Sequence, residues 1–268
     1  MTAKPRLSPS GLHRPFTLAQ VRAENRRTKT LVFCEPLPAQ PGQFVMAWLP
    51  GVGEKPFSVA SAEPLALTVA AVGPFSRAVC ELPVGARLWV RGPLGQGFQL
   101  RSGKLLLVGG GYGVAPLLFL AQEALARGCA VEVCIGGQMA EDVLLAEDFR
   151  RAGAAVRAAT EDGSLGTKGL VTAVSEAAIA ANRPDMVYAC GPVDMLKAVA
   201  RQCAHHDLPH QLSWEAHMRC GIGLCGSCEL LASESESGEE GQTCPPGAGW
   251  LVCLDGPVSI CDGSPARR

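Results

Sequence analysis

The stretch KLLLVGGGYGVAPLLFLAQEALARG, residues 104–128, decides the fold. KLLLVGG (104–110) is an apolar run after a single lysine, the pattern of a parallel strand buried on both faces. Gly109, Gly110, Gly111 and Gly113 form a turn, and APLLFLAQEALARG (115–128) carries a helix pattern closed by Gly128 as a C-cap. A glycine-rich turn that leaves a strand and opens a helix can hold a pyrophosphate. The spacing is not a clean GxGxxG, and Pro116 stands where a glycine or alanine would be. By itself the string also fits an ordinary tight strand–helix turn.

The same texture continues downstream. AVEVCIGG (130–137), AVRAAT (155–160) and DMVYACGP (185–192) read as strands. AEDFRRAG (146–153), LVTAVSEAAIAA (170–181) and VDMLKAVARQCAHH (193–206) read as helices. Strands alternating with helices predict a doubly wound parallel sheet. Cys190-Gly191-Pro192 ends the last of these strands at the carboxyl edge, where open α/β sheets bind ligands.

Upstream the pattern is β: TLVF (30–33), QFVMAWL (43–49), FSVAS (57–61), LALTVAAV (65–72) and ARLWVRG (86–92) are short apolar runs punctuated by Pro and Gly. Close spacing of short strands predicts a small antiparallel barrel or sandwich. After Gln211 the chain turns glycine- and cysteine-rich, with an acidic stretch from Glu234 to Glu240. Three domains are expected: a β-barrel over 1–100, a doubly wound sheet over 101–210 and a small cysteine-bearing domain over 211–268.

A formal net charge of −1 offers no basic excess to neutralise a phosphate backbone, so nucleic acid is not expected as a partner. The first residues, MTAKPRLSPSGLHRPF, lack the apolar segment of a signal peptide. The run Leu105–Ala121 is broken by glycines and Pro116, which suits a turn rather than a bilayer span. The expectation is a cytoplasmic protein with no membrane segment, in which scattered thiols behave as small hydrophobes. Of its 12 cysteines, six crowd into the segment from Cys220 onward.

Cys220-Gly-Ile-Gly-Leu-Cys225-Gly-Ser-Cys228 has the C-x4-C-x2-C spacing of plant-type [2Fe–2S] proteins, which needs one more distant cysteine. Glycines at 221, 223 and 226 allow the backbone to wrap closely around such a group. Cys244, Cys253 and Cys261 are each candidates for the fourth ligand. A zinc ribbon would want two C-x2-C pairs and only Cys225/Cys228 forms one; a Rieske centre would want two histidines and only His217 is near.

Three strings in the β region stand out, the first of which, taken alone, also fits an ordinary strand entry. Lys55-Pro56-Phe57-Ser58 opens a strand, Gly73-Pro74-Phe75-Ser76-Arg77 is a glycine turn feeding a helical turn, and GPLGQGF (92–98) closes the region. A glycine turn at a helix start is a ready phosphate site.

In this order, and followed by the cysteine motif, these strings resemble the electron-transfer subunits of the NAD-dependent, two-subunit dihydroorotate dehydrogenase, a branch of the ferredoxin reductase superfamily. The resemblance runs from about Arg14 to Asp262 and is carried by GPLGQGF, GGGYGVAPL (109–117), EDGSLGTKGLVT (161–172), ACGPVDMLKAV (189–199), CGIGLCGSC and CLDGPV (253–258). It implies FAD on the barrel, NAD as substrate on the parallel sheet and a [2Fe–2S] cluster in the tail. The family's R-P-x-S flavin string is here Lys55-Pro56-Phe57-Ser58; lysine keeps the charge but not the bidentate fork. The family's G-x-G-T is here Gly73-Pro74-Phe75-Ser76, with Phe75 in place of a glycine, and Val69-Ala70-Ala71 stands where the family lines the flavin. The resemblance selects Cys253, just before Asp-Gly-Pro-Val, as the fourth ligand beside Cys220, Cys225 and Cys228. Gly110, Gly111, Gly113, Cys190, Gly191 and Pro192 are expected to hold NAD, with Cys190 near the nicotinamide.

The implied role is electron transfer in pyrimidine biosynthesis. A hydride carries two electrons and the cluster accepts one at a time, so FAD, which does both, belongs between them. The partner is an FMN-containing catalytic subunit in an expected heterotetramer, and no residue of this chain is assigned to dihydroorotate oxidation. The residues after strand 130–137 lack the arginine that favours a 2′-phosphate, which points to NAD over NADP. Two other readings stand beside this one: a related flavin/iron–sulfur reductase subunit of a hydrogenase or a ferredoxin-linked transhydrogenase, and a zinc-stabilised binding module. His205, His206 and His210 are read as a solvated helix end and the acidic run as a solvated loop.

Overall fold

The computed structural model describes residues 11–230 and 249–261. Its first six strands are β1 (Arg14–Ala23), β2 (Thr28–Phe33), β3 (Phe44–Leu49), β4 (Gly53–Ala62), β5 (Leu65–Ala70) and β6 (Arg87–Leu94), with helix α1 (Pro74–Cys80) between the last two. They close into an antiparallel barrel of order β1-β2-β5-β4-β3-β6. Closure removes the unpaired edges that short strands would otherwise expose. Phe16, Leu31, Val45, Val59, Leu67 and Leu88 fill its interior, each at most 2% exposed.

The linker after the barrel is clamped to the sheet that follows. Gln99 N–H donates to Gln211 Oε1 at 2.8 Å, and Gln211 Nε2 donates back to the Gln99 carbonyl at 2.8 Å. Tyr188 Oη donates to the same carbonyl at 3.0 Å and accepts from Arg101 N–H at 2.9 Å.

The second unit runs β7 (Lys104–Gly110), α2 (Val114–Ala126), β8 (Ala130–Gly137), α3 (Ala146–Ala152), β9 (Ala155–Thr160), β10 (Thr167–Lys168), α4 (Val171–Ala181), β11 (Met186–Cys190), α5 (Val193–His205) and β12 (His210–Ser213). The tail adds β13 (Glu229–Leu230), β14 (Trp250–Leu251), α6 (Val252–Asp255) and β15 (Val258–Cys261). Sheet order is β10-β9-β8-β7-β11-β12-β15, all parallel except β15, which lies antiparallel on β12. The apolar run of β7 is explained by its place. Leu105 and Leu107 pack with α2 and α3, and Leu106 and Val108 pack with α4 and α5 on the opposite face.

The alternation expected over 104–206 is found. The expected boundary at 210/211 falls inside β12, and β15 returns from the tail to the edge of the same sheet. β15 therefore extends that sheet, while β13 and β14 pair antiparallel in a two-stranded sheet of their own, and Leu230, Val252 and Cys253 join the core on the α4/α5 face. His210 does not sit at a solvated helix end: it is 6% exposed on β12, with Nδ1 3.1 Å from the Leu208 carbonyl oxygen. His206 caps the end of α5 with Nε2 2.6 Å from Glu176 Oε1. The acidic run 234–240 and Cys244 lie outside the described residues. Among the described residues no helix is long and apolar enough to cross a membrane.

Candidate functional site

Barrel and sheet meet in a cleft containing two adjoining cavities. The first, about 480 Å³, takes Lys55, Pro56, Phe57 and Ser58 from β4, and Gly73, Phe75 and Ser76 from the α1 turn. Its far wall is Tyr112, Gly113 and Cys190 from the carboxyl edge of the sheet, with Trp214, Glu215 and Met218 after β12. The second, about 570 Å³, lies over the ends of β7, β8 and β9, where Gly110, Gly111, Gly136, Gly137, Glu161 and Pro192 line it. Ala70, Val72 and Tyr112 border both cavities. Volumes in this range suit small-molecule and cofactor sites.

The sequence motifs thus converge from distant parts of the chain. Val69 and Ala71 do not reach the cavity. The two-residue period of β5 turns Thr68 and Ala70 outward and sends Val69, fully buried, into the barrel core, against which Ala71 packs. Gly191 lines neither cavity; it sits at φ +158° with a virtual Cβ 3.0 Å from Gly110 N, so it lets the β11 turn touch the β7 turn. Gly113 serves the same close approach, since a Cβ there would stand 2.6 Å from the Cys190 carbonyl oxygen.

Local hydrogen bonds set the α1 turn. Gly73 N–H donates to Ser76 Oγ at 3.0 Å, and Ser76 Oγ lies 3.2 Å from the Gly73 carbonyl oxygen. The Phe57 and Phe75 rings stack at 6.1 Å and 25°.

Glu215 carries no motif signal and Tyr112 is marked only by the glycines around it, yet both stand in the wall opposite the barrel. Tyr112 Oη donates to Glu215 Oε2 at 3.4 Å. Surrounding protein pushes the Glu215 carboxyl above the usual carboxylate range, and the Tyr112 hydroxyl offsets part of that. Burial, reinforced by Glu215, pushes the Cys190 thiol up to about 12, so it is a neutral group at physiological pH.

The cysteine loop packs behind this cavity. Met218, in the cavity wall, shares one apolar cluster with Phe44, Met46, Cys228 and Cys253. Cys228 Sγ and Cys253 Sγ are 3.2 Å apart. Ile222 and Leu224 N–H groups point at Cys220 Sγ, at 3.5 and 3.3 Å, and Gly223 N–H points at Cys253 Sγ at 3.2 Å. Gly221, Gly223 and Gly226 hold φ of +67°, +77° and +69°, which lets successive N–H groups converge on the sulfurs. Hydrogen bonds from Ser227 and Cys220 lower the exposed Cys225 thiol to about 6, while burial and the neighbouring Cys228 push Cys253 up to about 12. Convergent thiols under backbone N–H groups fit a thiolate-held iron–sulfur group. Cys261 lies on β15 opposite His210 and is disulfide-bonded.

The two strings flanking this loop also touch. A Cβ on Gly256, at φ +112°, would lie 2.8 Å from Gln96 Cβ, and one on Gly95 would lie 2.9 Å from Pro257 Cδ. GPLGQGF and Asp-Gly-Pro-Val are therefore two sides of one contact that seats the tail on the barrel.

Residues 107–201 match the oxidoreductase NAD-binding domain family. A chain of the NADH-dependent reduced ferredoxin-NADP oxidoreductase superposes with a TM-score of 0.78 at 25% identity, covering 91% of this chain and 87% of that one. The ferredoxin reductase of carbazole 1,9a-dioxygenase shares the fold at a TM-score of 0.64 and 24% identity, covering 73% of this chain and 66% of its own. Among sequences, the probable dihydroorotate dehydrogenase B (NAD(+)) electron transfer subunit of Thermococcus kodakarensis is 40% identical over 92% of this chain and 96% of its own. The protein of the same description from Methanopyrus kandleri is 38% identical over 91% of this chain and 88% of its own. With such identity over nearly the whole length, the chain belongs to the family of electron-transfer subunits of NAD-dependent dihydroorotate dehydrogenase B.

Proposed function

We propose that this chain passes electrons from a dihydroorotate-oxidising partner flavoprotein to NAD⁺, using FAD in the first cavity and a [2Fe–2S] cluster on Cys220, Cys225, Cys228 and Cys253. The observation that carries the reading is the meeting of the two cavities at Ala70, Val72 and Tyr112, with the cysteine loop packed directly behind the first. FAD, when bound, supplies the exchange between two-electron and one-electron chemistry that NAD⁺ and the cluster require of one another.

The chain's own residues bind and orient. Lys55, exposed at the cavity mouth, and Ser58 suit a phosphate-bearing flavin, and Phe57 with Phe75 gives it an apolar wall. The glycine turn at 110–111 and the wall of Gly136 and Gly137 let a dinucleotide approach the backbone closely. Asp142, Glu161 and Asp194 line that second cavity with Arg27, an arrangement that disfavours an additional 2′-phosphate. The protonated Cys190 thiol and the Glu215 carboxyl stand in the first cavity's sheet-side wall, where a nicotinamide reaching from the second would end. Met218, Phe44 and Met46 keep water out of the path between the first cavity and the cysteines.

The dihydroorotate chemistry belongs to the partner, and the FMN-bearing heterotetramer remains the assembly this reading expects. The test is co-expression with the FMN subunit and assay of dihydroorotate-dependent NAD⁺ reduction. Two electrons and one proton should appear as NADH, with the second proton released to solvent. A pure complex with full flavin and iron that reduces NAD⁺ with ferredoxin or hydrogen but not with dihydroorotate would transfer the chain to the other reductase reading. A colourless chain with stoichiometric zinc would remove both.

A further inference from the structure

We propose that Arg91 is a positioning residue for the cysteine loop: a barrel side chain that fixes the Cys220–Gly221 peptide and sets positive charge beside the ligand Cys220. The inference rests on the cluster reading given above and adds to it a residue outside the cysteine motif.

Arg91 lies on β6 and is 7% exposed, so its charge requires partners. It has two. Nε and Nη2 donate to the two oxygens of Glu54 on β4 at 2.7 and 3.2 Å, and Nη2 also donates to the Cys220 carbonyl at 2.7 Å. Glu54 is held in turn by His13, whose Nε2 lies 2.7 Å from Glu54 Oε1. The planar guanidinium fork can satisfy a carboxylate and a carbonyl together, which an ammonium on a flexible stem does less well.

The next residue is fixed from the other side. Gly221 is buried at φ +67°, and a Cβ there would lie 2.9 Å from Met46 Cγ on β3 and 3.5 Å from Arg91 Nη2. The loop is thus pressed against the barrel wall at the one peptide that Arg91 grips. That peptide sets the course of the chain into Ile222 and Leu224, whose N–H groups converge on Cys220 Sγ. Hydrogen bonds to sulfur and local charge are levers on an iron–sulfur potential. A cation here favours the reduced, more negative state and so raises that potential.

The test compares the wild-type complex with Arg91→Met and Arg91→Lys by iron content, electron paramagnetic resonance of the reduced cluster and redox titration. Arg91→Met should shift the reduction equilibrium about tenfold toward the oxidised form, about 59 mV more negative for a one-electron couple, with a changed resonance spectrum. Arg91→Lys should recover most of the potential, because charge is kept, but not the wild-type spectrum, because the fork is lost. Full iron in Arg91→Met with wild-type potential and spectrum would overturn the proposal. If the methionine variant does not fold, a wild-type spectrum in Arg91→Lys would overturn it equally, and a changed one would support it. Wild-type protein without iron would instead sink the cluster reading, and this inference with it.

Discussion

Tyr112 Oη and Glu215 Oε2 lie 3.4 Å apart across the seam of the two cavities, one group on the turn after β7 and the other just past β12. Glu215 falls on no motif, and Tyr112 sits inside the glycine-rich turn that opens α2. Their pairing places a carboxyl with raised proton affinity next to the neutral Cys190 thiol. Glu215→Gln keeps the volume but removes the charge. Its kcat for NADH oxidation by an artificial acceptor should fall about tenfold, equivalent to about 1.4 kcal/mol of transition-state stabilisation. Flavin content should be unchanged. Equal kcat in the variant would show that Glu215 only lines the wall.

Gly113 and Gly128 separate two reasons for glycine. A Cβ on Gly113 would meet Cys190 O at 2.6 Å and Gly191 Cα at 2.9 Å, both backbone atoms that cannot swing away. At Gly128, φ is +80° but nothing lies within 4 Å. Gly128→Ala should cost only the left-handed backbone penalty, about 1–2 kcal/mol, read as a lower Tm with unchanged NADH KM. Gly113→Ala should cost about 1–3 kcal/mol through overpacking and also displace the Cys190 turn. A clear rise in NADH KM for the first-named glycine alone is the expected pattern. Equal KM in both variants would mean that the β7–β11 contact does not shape the nucleotide site.

The contrast between β7 and β1 shows what the sequence could disclose. β7 is buried on both faces, so KLLLVGG is legible as a strand from composition alone. β1 turns Phe16 and Leu18 inward, but a bulge between Leu18 and Gln20 breaks its alternation, and charged residues flank it. β12 is shorter still, and its letters are misleading. His210, Gln211 and Ser213 are polar yet buried, Gln211 because it exchanges two hydrogen bonds with the linker residue Gln99. The motif residues of the first cavity were readable because glycine and proline mark them. Glu215 and Arg91 were not, and Tyr112 was marked only by the glycines around it, since each is paired with a residue more than 30 positions away. Val69 marks the limit of resemblance, which locates a segment but not which alternate residue faces the cavity.

Glu54 gives a pH signature. Burial alone would raise its carboxyl, but hydrogen bonds from Arg91 and His13 outweigh that and hold it below the usual value. A carboxyl whose folded pKa is lower than its unfolded one, about 4.3, stabilises the fold above that pH. The contribution is lost as pH falls through the folded value. The Tm difference between wild type and Glu54→Gln should therefore be largest near neutrality and shrink on acidification below about pH 4. Other carboxylates titrate in both proteins and cancel in the difference. A gap that stays constant to pH 3 would mean that the variant loses packing rather than charge.

Cys253, the proposed fourth ligand, links the cysteine loop to the returning tail. Its Sγ lies 3.2 Å from Cys228 Sγ and accepts from Gly223 N–H, so it touches both the middle of the C-x4-C-x2-C segment and its last cysteine. It is also 3% exposed on α6, just before the Asp-Gly-Pro-Val contact with the barrel. Cys253→Ser should therefore lose most of the iron and the visible absorption of the cluster while keeping flavin, because the first cavity takes no residue from α6. Cys34→Ser, on an exposed barrel thiol, should keep both. Iron and sulfide per chain, with flavin measured on the same sample, separate ligand loss from unfolding. Full iron in Cys253→Ser together with its loss in Cys244→Ser would move the fourth ligand to Cys244. The 3.2 Å sulfur pair would then be packing alone.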